Sequence, residues 1–367
     1  MNRNQGRAFV VILALLAVAT LAVWLFWPRN GEASDTGDRG GEVAVDRRDG
    51  GSREDGGETD VSHSDGEGDH DNGGEPDGQQ DDNDNANGDD ERASRPAVSE
   101  AEARRAYRRG RELLDDDELL PARAELSKAV LSGGLKGSEE RDAVKRAGEL
   151  AERTILSREV LPDDPYVSYY TVQSGDTLAD RRNREGIVNK LDLWVPSEAI
   201  LRVNKMRDAR SLRAGQDLKV VSGPFHAIIT KSGFTCDVYL RRRGRDPVFI
   251  KRLRVGLGKN GSTPSGLWQV GSKLPFATWY PPPNAPDRGP IRPGDPDYPL
   301  GEKGLWIGIE GLDENTEGRF GYGIHGTDEP ESIGREESLG CIRLADDDIE
   351  FLFDLLREGH STVEVRP

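Results

Sequence analysis

The stretch YGIHGTDEPESIGREESLGCIRL, residues 322 to 344, holds one of the two cysteines and one of the five histidines of a 367-residue chain. Cys341 and His325 lie sixteen positions apart on a run rich in glycine. A thiolate is a strong nucleophile toward carbonyl carbon, and an imidazole within reach can take the thiol proton. A buried thiol beside an incidental imidazole is the plainer alternative. The sequence around the pair decides between them.

GYGIHGT ends a strand and SLGCIRL begins the final segment, so the pair is expected on one continuous turn. Upstream, HAIITKSG, FTCDVYLRR and VFIKRLRVGLG alternate as strands from Phe225 onward. Cys236 falls at period two among Phe234, Val238 and Leu240, so it is expected in the core, without function. A Cys236–Cys341 bridge would consume the nucleophile, so the two readings exclude each other. TPSG (263–266) and a proline-dense loop from Tyr280 to Pro299 follow. That loop, with Trp279 and Tyr280, reads either as a lid over the groove or as a surface insertion. DDDIEFLFDLLREG predicts a helix with acidic capping residues, and HSTVEVRP a last strand.

The order T-P-x-G, P-L-G, I-H-G-T and S-x-G-C-I-R closely resembles the L,D-transpeptidase catalytic domain over residues 225 to 367. Two positions depart from many members: Leu339 stands before the motif glycine and Arg343 two places after the cysteine. The resemblance implies attack by Cys341 on the amide that precedes the terminal D-alanine of a peptidoglycan stem. A thioester results, which an amine of a second stem resolves. Water or a protein amine as acceptor would make the same chemistry an L,D-carboxypeptidase or a protein-attachment reaction. His325 is the base. Arg343 is expected to stabilise the thiolate and hold a substrate carboxylate. The amides of Gly340 and Cys341 are expected to face the oxyanion, and Ser338 and the backbone at Gly326 to orient the imidazole. No metal or cofactor is implied.

Ahead of this domain, SYYTVQSGDTL (168–178), PSEAILRVNKM (196–206) and SLRAGQDLKVV (211–221) give the order strand, helix, helix, strand, with Ser197 as the expected cap of the second helix. Tyr170, Val172, Gly175, Asp176, Thr177, Leu178, Asn204, Leu212, Gly215, Gln216 and Leu218 resemble the LysM module, a binder of glycans that contain N-acetylglucosamine. Arg181 and Arg182 stand where that family is apolar, and the helix connection is longer, so a spacer is the competing reading. Between Val98 and Leu156, apolar or small residues recur every three or four positions, interrupted by GGLKG (133–137). Two or three amphipathic helices follow from this, faintly like a tetratricopeptide hairpin, acting as a spacer or docking surface.

Ala8 to Trp27 is 20 residues without a charge. As a helix it spans about 30 Å, the hydrocarbon thickness of a bilayer. Arg3 and Arg7 precede it, which places the N-terminus in the cytoplasm and the chain after about residue 28 outside, in the periplasm; a cleaved signal peptide is the alternative. Residues 31–96 carry a net −16 of the chain's −17 and no aromatic residue. Such a segment is expected to be a disordered tether. Its loop 83–94 ends on Ser94 without the bidentate acid of a calcium loop. The remainder is near neutral, so no basic surface argues for nucleic acid.

The expectation is therefore a multidomain chain: anchor 1–30, acidic linker 31–96, α-helical segment 97–160, an α+β LysM-like βααβ module at 168–222, and a mainly-β catalytic domain with a C-terminal helix at 224–367. Its partner is peptidoglycan, the stem peptides at the catalytic domain and the glycan at the module. A decayed enzyme that serves only as a wall-binding anchor is the reading from another class.

Overall fold

The alternating runs after Phe225 form the centre of the molecule. In the computed structural model, which describes residues 99–178, 186–281 and 289–367, they become β3 (Phe225–Thr230), β4 (Thr235–Leu240) and β5 (Val248–Arg254), an antiparallel meander. The expected anchor (8–27), the linker (31–96), and Arg181 and Arg182 lie outside the described residues. Among the described residues, no helix is long and apolar enough to cross a membrane.

Five further strands complete an eight-stranded sheet: β7 (Gly266–Leu274), β8 (Trp306–Gly311), β9 (Gly323–His325), β11 (Ile342–Arg343) and β12 (Thr362–Arg366). Their order is β11-β9-β8-β7-β12-β3-β4-β5. The last strand of the chain therefore lies inside the sheet, parallel to β3 and antiparallel to β7. A short parallel pair, β6 (Leu257–Gly258) with β10 (Glu336–Ser338), stands beside it. Cys236 is fully buried on β4, as its alternation predicts, and burial pushes its thiol far up.

The helical segment contains three helices, α1 (Glu100–Asp115), α2 (Leu119–Leu131) and α3 (Gly137–Ala151). Ser99 and Glu102 open α1 with a capping box, each binding the other's backbone N–H at 3.2 and 2.9 Å. Gly110 lets α1 and α2 close up, since a Cβ there would lie 2.7 Å from Leu126 Cγ. The helices cover an edge, which the sequence did not indicate. Edge strand β5 inserts fully buried Phe249 into the helical core, and its Phe249 N–H donates to Ser127 Oγ at 3.0 Å. Covering an edge in this way removes an aggregation-prone surface.

The expected strand-helix-helix-strand order is present at residues 167–221. β1 (Val167–Thr171) pairs antiparallel with β2 (Asp217–Val221), and α4 (Ile187–Lys190) and α5 (Ser197–Val203) lie between them in sequence. Ser197 is not the cap of α5. It is already the first helical residue, so its hydroxyl meets the Glu198 carboxylate at 3.2 Å, and Pro196 takes the cap position. Asn204 stitches α5 to β2: its amide donates to Ile200 O and Lys219 O at 2.8 Å each, and its oxygen accepts from Lys219 N at 2.9 Å. Buried Lys219 then donates to the carbonyls of Thr154, Ser157 and Glu159 at 2.8, 2.9 and 2.6 Å. The module shares one hydrophobic core with the large sheet. α6 (Asp346–Leu355) follows the catalytic stretch. Asp346, Asp347 and Asp348 occupy its first turn, where they complement the helix dipole, while Ala345 is the cap.

Phe249→Ala is expected to cost about 3–5 kcal/mol, the range for truncating a buried aromatic side chain. Urea unfolding of the chain measures it, and a loss below about 1 kcal/mol would show that the helices do not depend on this anchor.

Candidate active site

β9 and β11 run parallel in the register Ile324↔Ile342 and His325↔Arg343. Ile324 and Ile342 are buried in the core, so alternation sends His325 and Arg343 to the opposite face. Cys341 precedes Ile342 and returns to that same face, beside Gly323. The sixteen-residue separation in sequence thus becomes a diagonal across two adjacent strands. β8 extends the row, with Trp306 paired to His325 and its indole stacked on the imidazole, ring centres 5.6 Å apart and 12° from parallel. Gly323 must lack a side chain, because a Cβ would meet the Trp306 ring at 2.4 Å.

His325 Nδ1 lies 2.5 Å from the Gly326 carbonyl oxygen. A carbonyl only accepts, so Nδ1 carries the proton and Nε2 is left as the basic nitrogen. Burial pushes the imidazole down to about 4, the Gly326 carbonyl opposes this, and the Arg343 charge lowers it further. Cys341 is part-exposed, yet enclosed by enough protein that burial pushes its thiol up, against a backbone hydrogen bond at Gly323 and the charge of Arg343. Its Sγ donates weakly to Gly321 O at 3.7 Å. By these shifts the thiol and the imidazole are both neutral at rest.

The turn before the cysteine corrects two expectations. Ser338 does not touch the imidazole. Its hydroxyl donates to Cys341 O at 2.6 Å and accepts from Gly340 N at 3.1 Å. The Gly340 N–H is thereby committed to Ser338 and does not face an oxyanion. Gly340 is required for a different reason. Its φ is +141°, and a Cβ would lie 2.9 Å from the Tyr322 ring. Its carbonyl accepts from Thr263 Oγ1 at 3.0 Å, and the same hydroxyl accepts from Gly258 N at 2.8 Å. Thr263 is the threonine of TPSG, a motif whose role the sequence left blank. Some 77 residues separate it from Gly340, and only the fold joins them.

Other contacts support the histidine from behind. Gly326 and Gly301 pack on the Asp346 carboxylate, which accepts from Glu302 N at 3.1 Å, so the P-L-G turn abuts the H-G-T turn. The root of the proline-dense loop is close by. Trp279 bridges to Ile291, and Tyr298, Ala277 and Leu300 form a small cluster against Trp306. Arg343 Nη1 donates to Glu329 Oε2 at 2.5 Å, a partner that the sequence did not indicate. The resting guanidinium therefore already holds a carboxylate.

The stretch that carries these residues is similar to known proteins. Residues 231–365 match YkuD, the L,D-transpeptidase catalytic domain. The chain is 45% identical over 69 residues to an L,D-transpeptidase homologue of Bacillus subtilis, YqjB, spanning 19% of this chain and 36% of that relative. It is 25% identical over 206 residues to the homologue YkuD of Bacillus licheniformis, 54% of this chain and 98% of that one. An L,D-transpeptidase structure from Mycobacterium smegmatis covers 42% of this chain and 64% of its own, at 15% identity and a TM-score of 0.29. The chain thus spans about a third of YqjB, and the residues matched to YkuD include Cys341 and His325. Residues 231–365 form a catalytic domain of the L,D-transpeptidase family.

Proposed function

We propose that the chain is a membrane-anchored, extracytoplasmic L,D-transpeptidase that crosslinks peptidoglycan through a Cys341 thioester. The observation that carries this is the placement of Cys341 and His325 on one face of adjacent parallel strands, with His325 Nδ1 fixed on a carbonyl and Nε2 left as base. As Sγ attacks the amide carbon before the terminal D-alanine, Nε2 takes the thiol proton and returns it to the leaving amine. The C–N bond breaks, D-alanine departs and the acyl group stays on sulfur. An amine from a second stem then attacks the thioester and gives up its proton to Nε2; the C–S bond breaks, the departing Cys341 sulfur takes that proton, and a crosslink between the third residues of two stems is left. With the Gly340 amide bound to Ser338, the Cys341 amide is the donor assigned to the oxyanion.

Residues 8–27 would hold the enzyme at the membrane and residues 31–96 would carry it outward. The βααβ module, on its likeness to LysM, would bind wall glycan. Its place in the same core as the sheet supports a fixed angle between glycan and stem.

Tetrapeptide-stem muropeptides incubated with the full chain are expected to give a dimer with loss of D-alanine, read by mass spectrometry, and none with Cys341→Ala. Loss of D-alanine without dimer assigns the carboxypeptidase, and turnover by Cys341→Ala removes the proposal. Thr263→Val leaves Gly258 N and Gly340 O without this partner, and is expected to lower kcat about ten- to a hundredfold by displacing the cysteine turn. A kcat within twofold of the parent would show that the clasp is dispensable. In the free enzyme His325 stays neutral until the pH falls through about 4. The acid limb of kcat/KM is therefore expected near pH 4 instead of near 6.5, with no thiolate at neutral pH. Iodoacetamide alkylation of Cys341 should climb steadily up to and beyond the ordinary thiol value; a plateau across pH 5–8 would reveal a resting thiolate–imidazolium pair instead.

A further inference from the structure

Arg343 follows Cys341 by two residues on the same face of β11, and its side chain is only 16% exposed. Its one ion pair is with Glu329, whose side chain is 54% exposed. The Arg343 Nε is buried without a hydrogen-bond partner, so one donor of the guanidinium fork is unmet. A buried donor in that condition is costly, and a second acceptor on the fork would relieve it.

Glu329 hangs from a turn fixed independently of its carboxylate. Its N–H donates to Thr327 Oγ1 at 3.0 Å, and its carbonyl accepts from the hydroxyl and the N–H of Ser332 at 2.6 and 3.0 Å. Ser332 is fully buried, and its carbonyl lies 2.6 Å from where a Gly256 Cβ would be. The carboxylate can therefore swing into solvent while the turn stays in place. A half-exposed carboxylate contributes little to such a pair, because water replaces it readily.

We propose that Glu329 is a displaceable internal occupant of Arg343, which a substrate carboxylate close to the scissile bond replaces, so that this residue sets the preference of the cleft for anionic donors. The proposal rests on the reading of Cys341 as nucleophile. It takes the terminal carboxylate of the stem peptide as the natural competitor. Binding exchanges one carboxylate for another on Nη1 of the guanidinium. Without substrate, Glu329 offsets the Arg343 charge and keeps other anions out.

Iodoacetate and iodoacetamide test this, since they are nearly equal in size and differ by a carboxylate one carbon from the reacting centre. Cys236 is fully buried, so Cys341 is the reactive thiol. In the full chain, Glu329→Gln is expected to raise the iodoacetate-to-iodoacetamide rate ratio at Cys341 roughly three- to tenfold, an effect that shrinks with added salt. Asp328→Asn removes a neighbouring exposed charge and should leave the ratio within twofold of the parent. An unchanged ratio in Glu329→Gln overturns the proposal, and so does an equal rise in Asp328→Asn, which would show general repulsion. With tetrapeptide stems, Glu329→Gln should lower KM and keep kcat. A lower kcat at unchanged KM would make Glu329 a prop for Arg343 and overturn it. A shifted alkylation ratio in a chain that turns over no stem peptide would leave the proposal standing and remove the transpeptidase reading instead.

Discussion

The register between two very short strands is the constraint on which the rest depends. β9 and β11 contribute few paired residues, yet their alignment alone sets which side chains share a face. A slip of one residue would turn Cys341 into the core and bring Ile342 out. Two strands this short cannot fix their own register. The clasp around Gly340 supplies what they lack, because Ser338 holds the amide of that residue and Thr263 its carbonyl. The cysteine is thus positioned from the backbone that precedes it, and the histidine from the carbonyl that follows it.

The same logic extends outward. Trp306 keeps the imidazole flat against β8, and the absent side chain at Gly323 gives the indole its room. The low basicity of His325 and the raised thiol of Cys341 have one cause, the burial that makes the arrangement rigid. The site therefore rests as a neutral pair. In the proposed reaction, charge appears only when the carbonyl carbon is attacked, where nearby donors gain most from it. At the far side, the helices close the edge at β5 through Phe249 and Ser127, and Lys219 ties their end to the small module. What reads in sequence as three separable parts packs as one unit.

That His325 and Cys341 come together was legible because their motif is local: glycine, histidine, cysteine and arginine fall within one stretch. The strands from Phe225 to Arg254 were legible from alternation, and the buried face of α1 from its three- and four-residue spacing. The task of Ser338 was misread, since the sequence places it near both the histidine and the cysteine and only the turn geometry chooses. Gly340 was rightly singled out for the wrong reason. Thr263, Glu329 and the edge-covering helices were illegible, because each acts across a gap in sequence that no local pattern spans. Ser197 fails as a cap by a single position, about the precision with which helix ends are defined.

The chain's final strand has a consequence for how the molecule comes into being. β12 is the seam between two halves of the sheet, with β3, β4 and β5 on one side and β7, β8, β9 and β11 on the other. Thr362–Arg366 supply the ladder between those halves, and the Gly256–Arg343 backbone pair and the β6–β10 pair join them a second time at the other end. Pairings such as Ala227 with Val363 and Gly256 with Arg343 span much of the domain in sequence, so assembly of the sheet waits on contacts of high sequence separation, which form slowly.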